Sequence, residues 1–182
     1  MCIMRLLLAL FLIVLTACST VSAPARSPAP PARKEIVFYV DKRFADGDKA
    51  AIYQAVYEWK RAMVAVADIK VHEDPRKDAR ILVTAGRWAP EEDGTILGVT
   101  SDLKGRMIRL DVVNINDFNL DMRQVVLHEI GHAFGVDHQI IGLMYPSVNG
   151  IFSMACIDVI TATVVEREND YPEGSVVPSC GQ

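Results

Sequence analysis

Three histidines and one glutamate between positions 128 and 138 are the residues of this 182-residue chain whose types and spacing could do chemistry. His128-Glu129-Ile130-Gly131-His132 puts two imidazoles one helical turn apart, where both can reach a single ion. Glu129 lies about 100° round the same helix from His128, close to such an ion without being forced to bind it. Gly135 stands three positions after His132, and His138 three after Gly135. Glycine adopts a left-handed conformation at little cost, where other residues lose roughly 1–2 kcal/mol, so it can end a helix and turn the chain sharply back. That turn can bring His138 to the same metal. Three neutral imidazoles and a water give a four-coordinate zinc with one exchangeable position, the arrangement of a catalytic rather than a structural site. Zinc lowers the pKa of its water to about 7, and Glu129 is placed to accept the proton. Asp137, beside His138, is the alternative third ligand, but the spacing selects His138.

A helix over Asn119 to Gly135 must carry these groups. Val126, Leu127, Ile130 and Phe134 fall on one side of a 3.6-residue wheel, His128 and His132 on the other, and Asn119 or Asp121 can cap it. An earlier helix follows Asp46-Gly47-Asp48, which offers capping side chains, and shows one apolar stripe through Ile52, Val56, Trp59, Met63 and Val66. Ile36–Val40 is a β-branched and aromatic run suited to a buried strand. Ile69–His72 and Ile81–Thr84 read as further strands, Thr95–Thr100 as a weaker one, and Ile108, Leu110 and Val112 alternate with Arg109 and Asp111 as in a half-buried strand. In the last segment Ser153 can cap a helix with Ile157, Ile160 and Val164 at helical spacing, although its β-branched residues also suit a strand. Strands giving way to helices place the chain in the α+β or mixed α/β class, as one domain over residues 35–182.

His-Glu-x-x-His-x-x-Gly-x-x-His over residues 128–138 resembles the zinc motif of the metzincin metallopeptidases, matched at every defined position, and Leu143-Met144-Tyr145-Pro146 is similar to their Met-turn in its matrixin form. The resemblance covers most of residues 35–170 in element order, with its specific part confined to residues 128–146. It implies a two-subdomain zinc endopeptidase. A twisted, mostly parallel sheet with two long helices would lie above the zinc, and a smaller C-terminal subdomain with the last helix below. It also implies that Met144 packs under the ligands, that Ile96-Leu97-Gly98-Val99-Thr100 is the edge strand along which a peptide lies, read through Leu97, Gly98 and Val99, and that Tyr145, Pro146 and Ser147 line a side-chain pocket.

The chain departs from the family in places. Pro146 stands where astacins and serralysins have a tyrosine, so no tyrosine ligand is assigned. Outside the motif the sole histidine is His72, read as a surface residue at a strand end, so the second, structural zinc common in matrixins is not expected. The stretch from His138 to Met144 is shorter than usual in matrixins. Two rival readings remain: a binding or scaffold module that keeps the fold without turnover, which predicts a damaged motif, and a zinc hydrolase acting on something other than protein.

The N-terminus has its own pattern. Met1–Arg5 carries one positive charge, Leu6–Leu15 is unbroken apolar sequence, and small residues follow, which is the layout of an export signal over residues 1–17. A membrane-spanning anchor is the alternative, but the run falls short of the roughly 20 residues a crossing helix needs. Leu15-Thr16-Ala17-Cys18 resembles the lipobox of bacterial lipoproteins, which implies an acylated Cys18; Ser19 beside it is similar to the signal for outer-membrane sorting. Two or more acyl chains hold a protein stably on a bilayer. Residues 18–34 are rich in Pro, Ala and Ser and read as a tether. Loss of residues 1–17 removes only Arg5 among the charged groups, so the formal charge moves from −4 to −5; nothing points to nucleic acid, and a monomer is expected. In an oxidising compartment Cys156 and Cys180 can form a disulfide, the alternative being a buried free Cys156 on a helix.

Overall fold

The computed structural model describes residues 32–73, 81–87, 96–101, 107–147 and 153–181. The expected signal, the lipidation position Cys18 and most of the tether lie outside them, as does Thr95. Five strands, β1 (Lys34–Val40), β2 (Ala67–His72), β3 (Ile81–Ala85), β4 (Gly98–Ser101) and β5 (Met107–Leu110), form one sheet in the order β2-β1-β3-β5-β4. Four run parallel and β4 pairs antiparallel with β5 at the edge, so the class is mixed α/β with a mostly parallel sheet. One face of the sheet carries the core: Phe38, Val40, Ile81, Val83, Ile108 and Leu110, alternate residues of β1, β3 and β5, are all buried, while Arg109 on the other face of β5 is exposed.

Helix α1 (Asp46–Ala62) follows β1, and its stripe of Ile52, Val56 and Trp59 enters the core. Its capping differs from the sequence expectation. The N-cap position is Ala45, with no side-chain bond, and Asp46 and Asp48 sit inside the first turn, where their charge favours the helix dipole instead. Met63 and Val66 are buried but lie beyond the helix end.

After Leu110 the chain does not continue as a strand. Asp111 is fully buried and its carboxylate accepts from the Asn114 backbone N–H at 3.1 Å and from Asn114 Nδ2 at 2.9 Å, which starts a short helix, α2 (Val112–Asp117). The strand pattern carried through Val112 was therefore one residue pair too long. Asn119, with φ 50°, lies in the link to α3 (Met122–Ala133), whose cap is Asp121. Trp59 ties α1 to α3: its indole N–H donates to the Leu127 carbonyl at 3.2 Å, and its ring meets Phe134 edge-on at 5.1 Å.

The last helix, α4, spans Val159–Glu168, and its cap is Asp158, not Ser153. The buried face differs from the expected one: Thr161, Ala162 and Val165 turn inward, Val164 is half-buried against the core, Ile160 is 51% exposed and Ile157 is buried ahead of the helix. A C-terminal strap then crosses back. Val177 N–H bonds to the Ala62 carbonyl at the end of α1, Ser179 N–H to the Ile157 carbonyl, and Ser179 Oγ donates to Glu58, which pairs with Arg123 at 2.8 Å. The disulfide between Cys156 and Cys180 closes this strap with a sequence separation of 24. A loop of that length implies that reduction costs about 3 kcal/mol. Urea unfolding with and without reductant should show that loss; an unchanged midpoint would mean that the polar bonds of the strap suffice.

Candidate metal centre

Helix α3 is buried on more than one side, because the sheet, α1 and the segment after it all pack on it. His128 and His132 project from it with ring centroids 4.7 Å apart. Beyond Phe134, Gly135 adopts φ +88°, its N–H bonds to the His132 carbonyl at 2.9 Å and the Val136 N–H to the Gly131 carbonyl at 3.1 Å. This pair of bonds is a Schellman ending, and it reverses the chain. His138 is thereby returned to within 5.2 Å of the His128 ring and 4.8 Å of the His132 ring. One nitrogen from each histidine falls in a group whose members all lie within 4.8 Å of one another. Asp137 is exposed and outside that group.

The tautomers favour a metal. His128 Nδ1 lies 2.9 Å from the Leu143 carbonyl and His132 Nδ1 2.7 Å from the Val136 carbonyl. A carbonyl only accepts, so each Nδ1 carries the proton and each Nε2 keeps a free lone pair, the arrangement that orients metal-bound imidazoles. Burial lowers the pKa of His128 to about 4 and also lowers that of His132, which keeps both rings neutral near pH 7. The donor set therefore fits a divalent transition metal held by nitrogen.

Replacing Gly135 by alanine should weaken that grip. The positive φ strains any side chain, and a Cβ there would also come 3.3 Å from Glu168 Cβ. At about 1–2 kcal/mol of strain the expected loss of zinc affinity is roughly tenfold. Competition with a chromogenic chelator measures it, and an unchanged affinity would show that the reversal does not depend on the glycine.

Glu129 is 5% exposed and is not one of the converging ligands. Burial raises its pKa to about 7, opposed by a hydrogen bond from Thr100. The Thr100 hydroxyl lies 2.6 Å from Glu129 Oε2 and 2.9 Å from the Glu129 carbonyl. A carboxyl group poised near 7 suits proton transfer at neutral pH.

Met144 is fully buried beneath α3, and a Cβ on Gly131 would lie 2.4 Å from its sulfur. Gly131 thus lets the turn approach the helix, a role that the sequence reading did not assign, although a glycine in mid-helix costs up to about 1 kcal/mol and so signals a close contact. The same turn is fixed from below, since Asp158 accepts from the Leu143 N–H at 2.9 Å while capping α4. Leu143 in turn supplies the carbonyl for His128.

Among the residues expected to meet a peptide, Gly98, Val99 and Thr100 lie in β4, which has no partner on its outer side among the described residues. Leu97 packs against the core, and its carbonyl is taken by the Asp111 N–H at 2.8 Å, so this residue anchors the strand. Tyr145 is half-buried and Pro146 and Ser147 are exposed where the chain leaves the turn. His72 ends β2, half-buried.

No family model matches the chain, and no curated protein matches it. Among solved structures, one match is high choriolytic enzyme 1, a hatching enzyme zinc-protease from Oryzias latipes, the medaka fish, at 19% identity and a TM-score of 0.36. The alignment takes in 59% of this chain and 46% of that one, so the chain spans under half of that protein. A likeness at this level carries no weight for activity.

Proposed function

We propose that the chain is a zinc-dependent endopeptidase of the metzincin type, matrixin-like in its Met-turn, acting on proteins or peptides at a bacterial cell envelope. The observation that carries this reading is the convergence of His128, His132 and His138 on one point, beside a buried Glu129 on the same helix. His128, His132 and His138 would hold the metal. When bound, zinc would supply a Lewis acid for the peptide carbonyl and bring the pKa of a coordinated water to about 7.

The chain's own groups do the rest. Glu129 accepts the proton of the attacking water and passes it to the departing amine, so one carboxyl group serves as base and then as acid. The outer side of β4 can pair with an extended peptide backbone, which aligns the scissile bond without reading its side chains. The Leu143 carbonyl orients His128 and the Val136 carbonyl orients His132, while Met144 packs under Gly131, which lies between them in sequence. The lipobox-like Cys18 would tether the domain to a membrane, in an exported protein on the outer membrane.

Incubation of the purified chain with a mixed peptide library tests the activity. Cleavage should appear with zinc, vanish with a chelator and return when zinc is restored, with cut sites read by mass spectrometry. Stoichiometric zinc without any cleavage would reject the peptidase. Labelled palmitate entering the wild type but not Cys18→Ser tests the anchor separately.

A further inference from the structure

Residues 98 and 100 lie two apart on β4 and so share one face of the strand. Both meet Glu129. A Cβ added to Gly98 would lie 2.6 Å from Glu129 Oε1, 2.7 Å from Cγ and 2.8 Å from Cδ, so the end of the glutamate occupies the space where a side chain would stand. Two residues on, the Thr100 hydroxyl reaches both the Oε2 and the main-chain carbonyl of the same glutamate, at 2.6 and 2.9 Å. We propose that Thr100 is a positioning residue for Glu129, holding the carboxyl group against β4 so that the strand available to a peptide also aims the base. The inference rests on the endopeptidase reading above.

Three properties of the contact support it. A glutamate has three side-chain torsions, and the hydroxyl lies within bonding distance of both its main-chain carbonyl and its carboxyl group: it shares its one proton between these acceptors, or donates to the carbonyl and accepts from the carboxyl group when that is protonated. A hydroxyl both donates and accepts, so it can remain bonded to the carboxyl group with or without a proton, the two forms through which a base must pass. Threonine is β-branched and lies in register, paired with Ile108 of β5, which limits its own rotamers. Gly98 supplies the space and Thr100 the clamp. A base displaced by about 1 Å can lose on the order of a hundredfold in rate, so the clamp has a measurable consequence.

The test compares Thr100→Val, which keeps the shape and removes the hydroxyl, with Thr100→Ser, which keeps the hydroxyl. Both are prepared in the full chain with zinc bound. For Thr100→Val we expect kcat to fall about 10–100-fold with KM within about twofold and zinc content unchanged, while Thr100→Ser stays within about threefold of wild type. Crystal structures of the zinc-loaded wild type and Thr100→Val should show the carboxyl group leaving β4 only in the variant. An unchanged kcat in Thr100→Val, a change in KM alone, an equal loss in Thr100→Ser, or a carboxyl group that stays in place without the hydroxyl would each overturn the assignment. Absence of turnover by the wild type would instead reject the peptidase reading, and the crystal structures would still decide whether Thr100 sets Glu129.

Discussion

Replacement of Glu129 by glutamine is expected to leave zinc bound at one per chain and to lower peptide cleavage by about 10³–10⁵-fold, since the proton acceptor goes while the three ligands stay. Glutamine has nearly the shape of glutamate and can still accept from Thr100, so the change isolates basicity from packing. The measurement is kcat/KM on the best library peptide beside metal analysis of the same sample. Cleavage within tenfold of wild type would mean that another group moves the proton.

The same variant should carry an opposite effect on stability. Burial raises Glu129 to about 7, so in metal-free protein the folded state binds a proton that an unfolded glutamate, near 4.5, has released. That difference costs nothing below the unfolded value, grows as the pH rises toward 7, and is fully present above it. His128 runs the other way. Its pKa is lowered to about 4 by burial, so the unfolded chain gains a proton first on acidification and stability falls as the pH drops from about 6.5 toward 4. In the wild type these two trends oppose each other across much of the same range. Metal-free Glu129→Gln should therefore be more stable than wild type by about 2–3 kcal/mol at pH 7.5, lose that advantage below pH 4.5, and show a steeper acid dependence between. Urea unfolding followed by tryptophan fluorescence, to which buried Trp59 contributes, reads both slopes. Equal stabilities at pH 7.5 would mean that Glu129 is solvated in the folded protein.

What was legible in the residues was whatever local geometry decides. Two histidines one helical turn apart and a glycine at the helix end specify their own convergence, because the spacing and the left-handed turn are properties of a dozen consecutive residues. The buried strands were likewise visible as β-branched runs. Boundaries failed where two residues could each serve as a cap: Ser153 and Asp158 are both competent, and the choice falls to Asp158 because Leu143, fifteen residues away, needs its carboxylate. The alternation through Val112 is overridden by the bond that the Asp111 carboxylate accepts from the Asn114 N–H. Thr100, Gly98 and Gly131 gained their roles only from which strand and which turn pack on α3, and no period in the sequence encodes that.

The histidines themselves should divide by what else each one does. His138 is exposed and its contribution is a ligand atom, so His138→Ala should bind zinc at least about 10³-fold more weakly, beyond the roughly 10–100-fold expected from disturbing an outer partner, while the metal-free fold keeps its stability within about 0.5 kcal/mol. His128 donates from Nδ1 to the Leu143 carbonyl, on the segment that Asp158 holds from the other side. His128→Ala should therefore lose zinc to the same degree and also destabilise the metal-free protein by about 1–3 kcal/mol, because a carbonyl beneath the helix is left without its donor. Zinc titration against a chelator and urea unfolding of the stripped proteins separate the two effects. If His138→Ala retained wild-type affinity, the third donor would have to come from elsewhere, and the reversal at Gly135 would bring a bystander to the other two rings.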